Sequence, residues 1–554
     1  MLDAPLHVSF FGTNLENLQR TGDFGIAKLG GVSMLNIHRL IYRSPDIAWD
    51  PITEHLLSVI RHAHAPPTIR TQAAKVLDDI LLIVPRNVTS STDLQPVVQR
   101  RVLDVLALQI IPDPHTAGTS TSIELRRMGL ETLHQILQSS GHTLVIGWET
   151  IFEMLGSVCK TALAPPSPSP SYHDLGKGRP PPLGYLNEKG YTSLVKIAFQ
   201  SLTLVCDSLS SLSPEHLRLC ISTLGQFGRQ ADTNIALTAA ESLLWGVSDS
   251  IQAKRRDEDK EPEYSALWMF LLLEVLGLCT DGRPEVRVGA IQTLFRTLQL
   301  YGATLSLETW DECIWKVTFP LLDSITASIR RSTAAKEEPG SPAPAPDLQW
   351  DESKVLALQS IGSIFHDFLT TKIMLLESFT KAWDVFVGHI QDSWLHDNRT
   401  ITAPALRCLE KAIKACSASE ELKERTMEAL EIAWRACDAM GRSVAEVEES
   451  SSPVTATTAS AGQPLTQESL MAYVDVIRCT RSVGRQLEDR EWPLERLTRL
   501  MTILKGTWPR YGSGRGATHG PLRRRPDVLQ FTGLQARRRR AQPCTGEYSF
   551  SRGA

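Results

Sequence analysis

One pattern recurs along this chain of 554 residues: an apolar residue, a small residue four places on, and a second apolar residue four places further. It reads Ile69/Ala73/Leu77, Leu125/Gly129/Leu133, Ile235/Ala239/Leu243, Val286/Ala290/Leu294 and Leu356/Ser360/Ile364. Steps of four keep three residues on one side of an α-helix. The apolar pair forms a ridge, and the small residue lets a neighbouring helix come close. Arg follows the leading residue in the first, second and fourth copies (Arg70, Arg126 and Arg287), and Pro67 and Pro284 stand two residues before it in the first and fourth.

A second helix follows at similar spacing. Gly141-His142-Thr143-Leu144 then Trp148 parallels Gly302-Ala303-Thr304-Leu305 then Trp310. After each Trp the +3, +4 and +7 positions are apolar: Ile151/Phe152/Leu155 and Cys313/Ile314/Val317, and Trp383 repeats this with Phe386/Val387/Ile390. Each copy therefore predicts a helical hairpin, about 40 to 50 residues long. A lone hairpin cannot cover its apolar face, so consecutive hairpins must stack and share one seam. Alternation of the kind that marks strands is nearly absent, and the predicted chain is all-α.

Composition narrows the function classes. Hydrophobic residues make up 42% and charged residues 22%, enough to bury a large core. From Arg510 onward ten Arg stand against Asp527 and Glu547, a balance of +8, which leaves the first 509 residues at -12. A mildly acidic body gives no reason to expect nucleic-acid binding. The ten Cys are scattered with no C-x-x-C pair, so neither a disulfide framework nor a zinc site is expected. The first residues lack a basic stretch followed by an apolar core, which predicts no signal peptide. The longest apolar run, Ala266 to Cys279 with Glu274 inside it, is shorter than the ~20 residues a bilayer span needs.

Pro67 to Leu77 (PTIRTQAAKVL) and Pro284 to Leu294 (PEVRVGAIQTL) resemble the first helix of HEAT repeats. The fold class expected is thus an all-α, HEAT/armadillo-like helical-repeat solenoid with disordered insertions. Its breaks give HEAT-like repeats over 1–163, a Pro-rich linker over 164–190, repeats over 191–332 and a second Pro-rich linker over 333–349. Helical repeats follow over 350–445, a Ser/Thr-rich linker over 446–467, terminal helices over 468–508 and a basic disordered tail over 509–554. Lys254 to Glu261 (KRRDEDKE) reads as a solvated loop.

Longer segments carry a narrower resemblance. Leu125 to Cys159 is similar to the helical repeats downstream of the catalytic domain in large Arf guanine-nucleotide exchange factors. It is at least as similar to their non-catalytic relative, the Mon-two (monensin-sensitivity) family of endosomes and Golgi. Trp49 to Asn87, Phe227 to Asp249, Asp281 to Leu322 and Leu376 to Gln391 favour that relative. The most specific signatures are Leu243-Leu244-Trp245-x-x-Ser248-Asp249 and Ile314-Trp315-Lys316-Val317. The resemblance runs roughly from residue 24 to 505. It implies a non-enzymatic scaffold in endosome–Golgi trafficking and protein transport, on the cytosolic face of trans-Golgi and endosomal membranes. By the same resemblance its partners are a Dopey-type protein, an aminophospholipid flippase and an Arf-like small GTPase. Because family members are longer, the chain is expected to match their middle and carboxy-terminal part. Their dimerisation, cyclophilin-binding and upstream-of-catalysis regions are expected before Met1. Alternatives are a fragment of an active Arf exchange factor, for which no segment resembles the catalytic domain, and a generic HEAT adaptor.

The tail departs from the family. From Tyr511 the apolar period is replaced by Gly-Ser-Gly-Arg-Gly, Arg523-Arg524-Arg525 and Arg537 to Arg540, which reads as translated intron or shifted frame. The functional alternative is a polybasic segment for anionic lipid.

The remaining motifs weigh towards structure. Asp23-Phe24-Gly25 copies the magnesium-binding segment of a kinase, but only 22 residues precede it, too few for a phosphate loop and catalytic loop; a helix start with a polar cap is expected. Gly512 to Gly516 lacks the strand and helix of a phosphate cradle. His62 and His64 belong to a turn or helix end, and His142 to a hairpin turn. Trp148, Trp310, Trp315 and Trp383 are expected in the core, and Arg70, Arg126 and Arg287 bridging repeats or capping carbonyls. No catalytic, cofactor-binding or metal-binding residue, no cofactor and no small-molecule substrate is assigned.

Overall fold

The computed structural model describes residues 15–88, 94–112, 119–160, 184–209, 212–254, 261–334, 348–416, 422–446, 466–488 and 492–512. Its α-helices are α1 Leu15–Leu35, α2 Ile37–Tyr42, α3 Trp49–Arg61, α4 Pro67–Arg86, α5 Leu94–Ile110, α6 Ser120–Ser140 and α7 Trp148–Lys160. They continue as α8 Gly184–Cys206, α9 Pro214–Gly228, α10 Thr233–Ser242, α11 Asp249–Lys254, α12 Glu261–Leu278, α13 Pro284–Tyr301, α14 Leu307–Glu312 and α15 Phe319–Ala334. The last are α16 Leu348–Phe368, α17 Phe379–His396, α18 Arg399–Lys414, α19 Lys423–Glu446, α20 Gln467–Glu488 and α21 Leu494–Gly512. No strand occurs among the described residues.

These helices stack in two rows. One row runs through α4, α6, α8, α10, α13, α16, α18 and α20, each packed on the next. The second runs through α3, α5, α7, α9, α12 and the α14–α15 segment, then through α17, α19 and α21, with side-chain contacts joining the α14–α15 segment to α17. One apolar cluster extends from Ile26 to Ile503 without interruption, the seam that the repeat predicts. Local chemistry starts the helices: Pro67, Pro214 and Pro284 stand at first positions, where a missing N–H costs nothing. The side chains of Thr119, Ser213, Asp232 and Ser306 accept from the free N–H groups of the first turn.

The recurring Arg residues have the role expected of them. Arg70 Nε donates to the Ile60 carbonyl at 2.8 Å, near the end of the preceding helix. Arg126 Nε donates to the Ile110 carbonyl at 2.9 Å, and its burial lowers its pKa. Arg287 Nη1 donates to the Asp281 carbonyl at 2.8 Å and Nε to Ser353 Oγ of the next hairpin at 2.8 Å, with its guanidinium 3.7 Å from the Trp350 ring centre. Long side chains also reach carbonyls one hairpin away: Gln99 to Thr143, Arg283 to Gln230, Lys372 to Leu305 and Arg425 to Leu376. Carbonyls left over at helix ends are thereby satisfied.

The structure also corrects several expectations. The fifth copy is out of register: Leu356 and Ser360 are half-buried, and the buried stripe is Ser353, Ala357 and Ile361, three residues earlier. That register puts Lys354 where other repeats carry Arg, and its ammonium pairs with the Asp397 carboxylate inside the core, both almost fully buried. Asp23-Phe24-Gly25 lies within α1 instead of starting a helix, because the preceding residues are themselves helix-compatible; Phe24 is exposed. The first linker ends before residue 190: α8 begins at Gly184, two residues past the last proline, Pro182. Helix α16 likewise begins at Leu348, inside the linker read over 333–349, and α21 runs through Gly512, past the expected start of the tail at 509. The rest of the four expected linker and tail segments (164–183, 335–347, 447–465 and 513–554), with most of the charged run after Lys254 and all but Gly512 of the Gly-rich motif, lies outside the described residues.

Candidate interaction cleft

Among the described residues two π-helical turns interrupt the helices, Leu243–Ser248 between α10 and α11 and Cys313–Thr318 between α14 and α15. They coincide with the two most specific sequence signatures. The second has a local cause. Pro320 has no N–H for the Lys316 carbonyl, and its ring would crowd that group in a regular helix; the wider turn just before it relieves both. In the first, Ser248 Oγ donates back to the Leu243 carbonyl at 3.1 Å across the widened turn.

Trp315 lies within the second turn. Trp148, Trp310 and Trp383 are buried as expected, and Trp315 is half-buried, packed against the core from its edge. It packs edge-on against Phe319, with ring centres 5.3 Å apart, and its Nε1 donates to Ser378 Oγ at 3.2 Å. The Lys381 ammonium lies 5.0 Å from its ring centre. Phe319 in turn packs on His389 at 5.8 Å. A widened turn in α14–α15 is thus linked by aromatic contacts to α17.

Beyond His389 lies a cleft of about 640 Å³ between α15 and α17. Asp323, Thr326, Ala327 and Arg330 line one side, and Val385, Gly388, His389 and Asp392 the other. Each set falls at i, i+3, i+4 and i+7, one helix face apiece. The centre is open because Ala327 and Gly388 have little or no side chain; a Cβ added at Gly388 would meet nothing within 4 Å. Arg330 closes one end on Asp392 at 2.8 Å, and His396 Nδ1 lies 2.8 Å from the same carboxylate.

His389 sits between the core and the cleft. Burial lowers its pKa, the Asp323 and Asp392 carboxylates oppose that, and Lys354 reinforces it. Its Nε2 is 3.9 Å from Asp323, whose side chain is 72% exposed at the lip. The lining hydroxyl, Thr326 Oγ1, is buried and has no hydrogen-bond partner among the described residues, so no base is bonded to it as a nucleophile requires. The cleft is therefore suited to holding a side chain with an apolar body and a charged head.

Other ionisable groups fit structural roles. Asp78 is buried on α4, and that burial raises its pKa to about 7 against the lowering effect of Thr132 and Gln109. Burial raises the pKa of Cys159, Cys408, Cys416 and Cys437 to about 12, and a protonated thiol is a poor nucleophile. His62 caps the end of α3, and His142 lies in the 3₁₀ turn Gly141–Thr143. Among the described residues no three His, Cys, Asp or Glu gather to hold a metal ion, and no helix is long and apolar enough to cross a membrane. The sequence reading did not single out His389, Asp323, Ala327 or Gly388. A glycine inside the apolar period of α17 was the one available signal.

Residues 257–437, which enclose the cleft, match the profile described as the C-terminal region of Mon2 protein. The human Mon2 homolog is 28% identical over 431 residues, 71% of this chain and 22% of that protein. The Drosophila melanogaster homolog is 28% identical over 450 residues, 74% of this chain and 24% of that protein. The chain thus spans under a quarter of the length of these relatives. A brefeldin A-inhibited guanine nucleotide-exchange protein of Arabidopsis thaliana is 34% identical over 127 residues, 21% of this chain and 7% of that protein.

Proposed function

We propose that this chain, a relative of the Mon2 proteins, is part of a non-enzymatic scaffold for endosome–Golgi membrane trafficking. The observation that carries the proposal is the relationship itself, spread over about seven-tenths of the chain and joined to a stacked-helix fold with one continuous seam. Such an array offers a long surface, and proteins held side by side on it meet at a raised effective concentration. The scaffold works on the cytosolic face of trans-Golgi and endosomal membranes, to which it is recruited. Its partners are a Dopey-type protein, an aminophospholipid flippase and an Arf-like small GTPase.

Proximity labelling of the full-length gene product tests this reading. Golgi and endosomal neighbours that include a flippase are the expected outcome; importin cargo or phosphatase subunits in their place would overturn it. Deleting the two hairpins α16–α19 should lose partner binding and membrane recruitment together.

The plant exchange-protein match supports a second reading, a repeat segment from an active Arf exchange factor. An exchange assay on Arf loaded with fluorescent nucleotide separates the two. The scaffold reading expects the full-length product to leave the release rate unchanged, and acceleration supports the exchange factor.

A further inference from the structure

We propose that the cleft between α15 and α17 receives a helix from a partner protein, which lays an aliphatic side chain over Ala327 and Gly388 and directs a Lys or Arg at Asp323. Four observations carry this. First, the junction is open where its neighbour is shut. On the far side of α17, Trp383 and Trp394 reach α19 and donate to the Ala429 and Met440 carbonyls at 2.9 and 3.1 Å. Towards α15 the facing residues are too small to meet, leaving the cleft.

Second, the floor suits an aliphatic group. Ala327 and Gly388 are exposed, Val385 is half-buried beside them, and the space above Gly388 is clear for at least a Cβ. Third, the walls are two helices whose backbone N–H and C=O groups are engaged in their own ladders. An extended segment would find no edge to pair with, so an occupant that leaves water must satisfy its own backbone, as a helix does. Each lining stripe spans eight residues, about 10 Å or two turns, enough for two turns of a partner helix.

Fourth, the charges differ in availability. Asp392 is already engaged by Arg330 and His396. Asp323, exposed at the lip, has as its cationic neighbour among the described residues only His389, which burial inclines to neutrality. A cation arriving from outside would complete Asp323, and an anion would be repelled by both carboxylates.

The inference rests on the reading of the chain as a protein-binding platform, and its test keeps the two apart. A photo-crosslinking benzoylphenylalanine is placed at Ala327 in the full-length protein in cells, with a control at exposed Gln292 on α13, and the crosslinked peptides are sequenced. The expected product at Ala327, and not at Gln292, is a helix-forming segment of another protein with a Lys or Arg within one turn of the joined residue. Asp323→Lys should cut its yield about tenfold, equivalent to about 1.4 kcal/mol, while Asp384→Lys, at an exposed site elsewhere on α17, leaves it within about twofold. Reversing the partner's Lys or Arg to Glu should restore the product against Asp323→Lys.

Crosslinks to lipid, to residues 513–554 of this chain or to an extended or acidic segment overturn the proposal. So does a yield indifferent to Asp323→Lys, or one equal at Gln292. A protein that reaches trans-Golgi and endosomal membranes without the Ala327 product sinks the cleft alone. One that reaches neither membrane, whatever it crosslinks, sinks the scaffold reading.

Discussion

Helix α17 has two neighbours in its row and treats them differently. Against α19 it presents Trp383 and Trp394, whose indoles cross the junction to backbone carbonyls, and the two helices pack directly. Against α15 it presents Val385, Gly388 and His389, which face Ala327 across a cleft. Both junctions belong to the same stacked array and the same helix. What separates them is side-chain volume at the facing positions: a large ring fills the gap between helices and expels water, while a glycine opposite an alanine cannot. Openness in a repeat array is therefore a local choice, made residue by residue, on a scaffold that is otherwise uniform.

The comparison can be broken most severely at the closed junction. Trp383→Ala should cost about 3–5 kcal/mol, through lost packing and a residual cavity. Hydrogen exchange across α17 and α19 should report it, with the N-terminal hairpins little changed, because each hairpin in an array mainly feels its neighbours. The anchor between α17 and its own hairpin partner α16 is nearly as sensitive. Lys354→Met leaves Asp397 buried without its cation and should cost about 3 kcal/mol or more, whereas Lys354→Met with Asp397→Leu should come back close to the parent in chemical denaturation.

A matched pair of glycines sharpens the contrast. At Gly362, on the α16 face packed against α18, a new Cβ would sit 3.2 Å from the Cys408 Cα, and the backbone there has no room to yield cheaply. Gly362→Ala should destabilise by about 1–3 kcal/mol. Gly388→Ala meets open space and improves helix propensity, so it should stabilise by about 0.5–1 kcal/mol. The same substitution thus changes sign between a closed and an open junction, and thermal melts of the two variants decide it.

The smallest effect is a pH dependence confined to the open side. Burial depresses the His389 pKa below its ordinary value near 6.5, so the unfolded chain takes up a proton more readily than the folded one. Stability on this account is complete above pH 6.5 and falls as the pH drops through 6.5 towards the lowered native value. His389→Gln should flatten that part of the profile, the smallest of these effects. An unchanged slope would mean that His389 is not the group responsible.

The array itself was largely legible in the sequence. Arg70, Arg126 and Arg287 lie where their spacing requires, and each reaches the carbonyl or neighbouring hairpin expected of it. The fifth copy misled because Leu356/Ser360/Ile364 fits the apolar template better than the true stripe does. The stripe in use begins with Ser353 and Lys354, polar residues that only a buried partner makes acceptable, and Asp397 lies 43 positions away. The cleft was illegible for a related reason: Ala327 and Gly388 are ordinary helix residues until it is known that they face one another.

The sequence by itself determined the helical hairpin, its repetition and the shared apolar seam, because each follows from local periodicity within a few turns. Tertiary structure alone decided which junctions close, where a lysine can be buried, and that Trp315 sits at the edge of the core against the start of α17. Those outcomes depend on the sizes and charges of residues brought together from distant parts of the chain, and a one-dimensional pattern carries no record of which side chains meet.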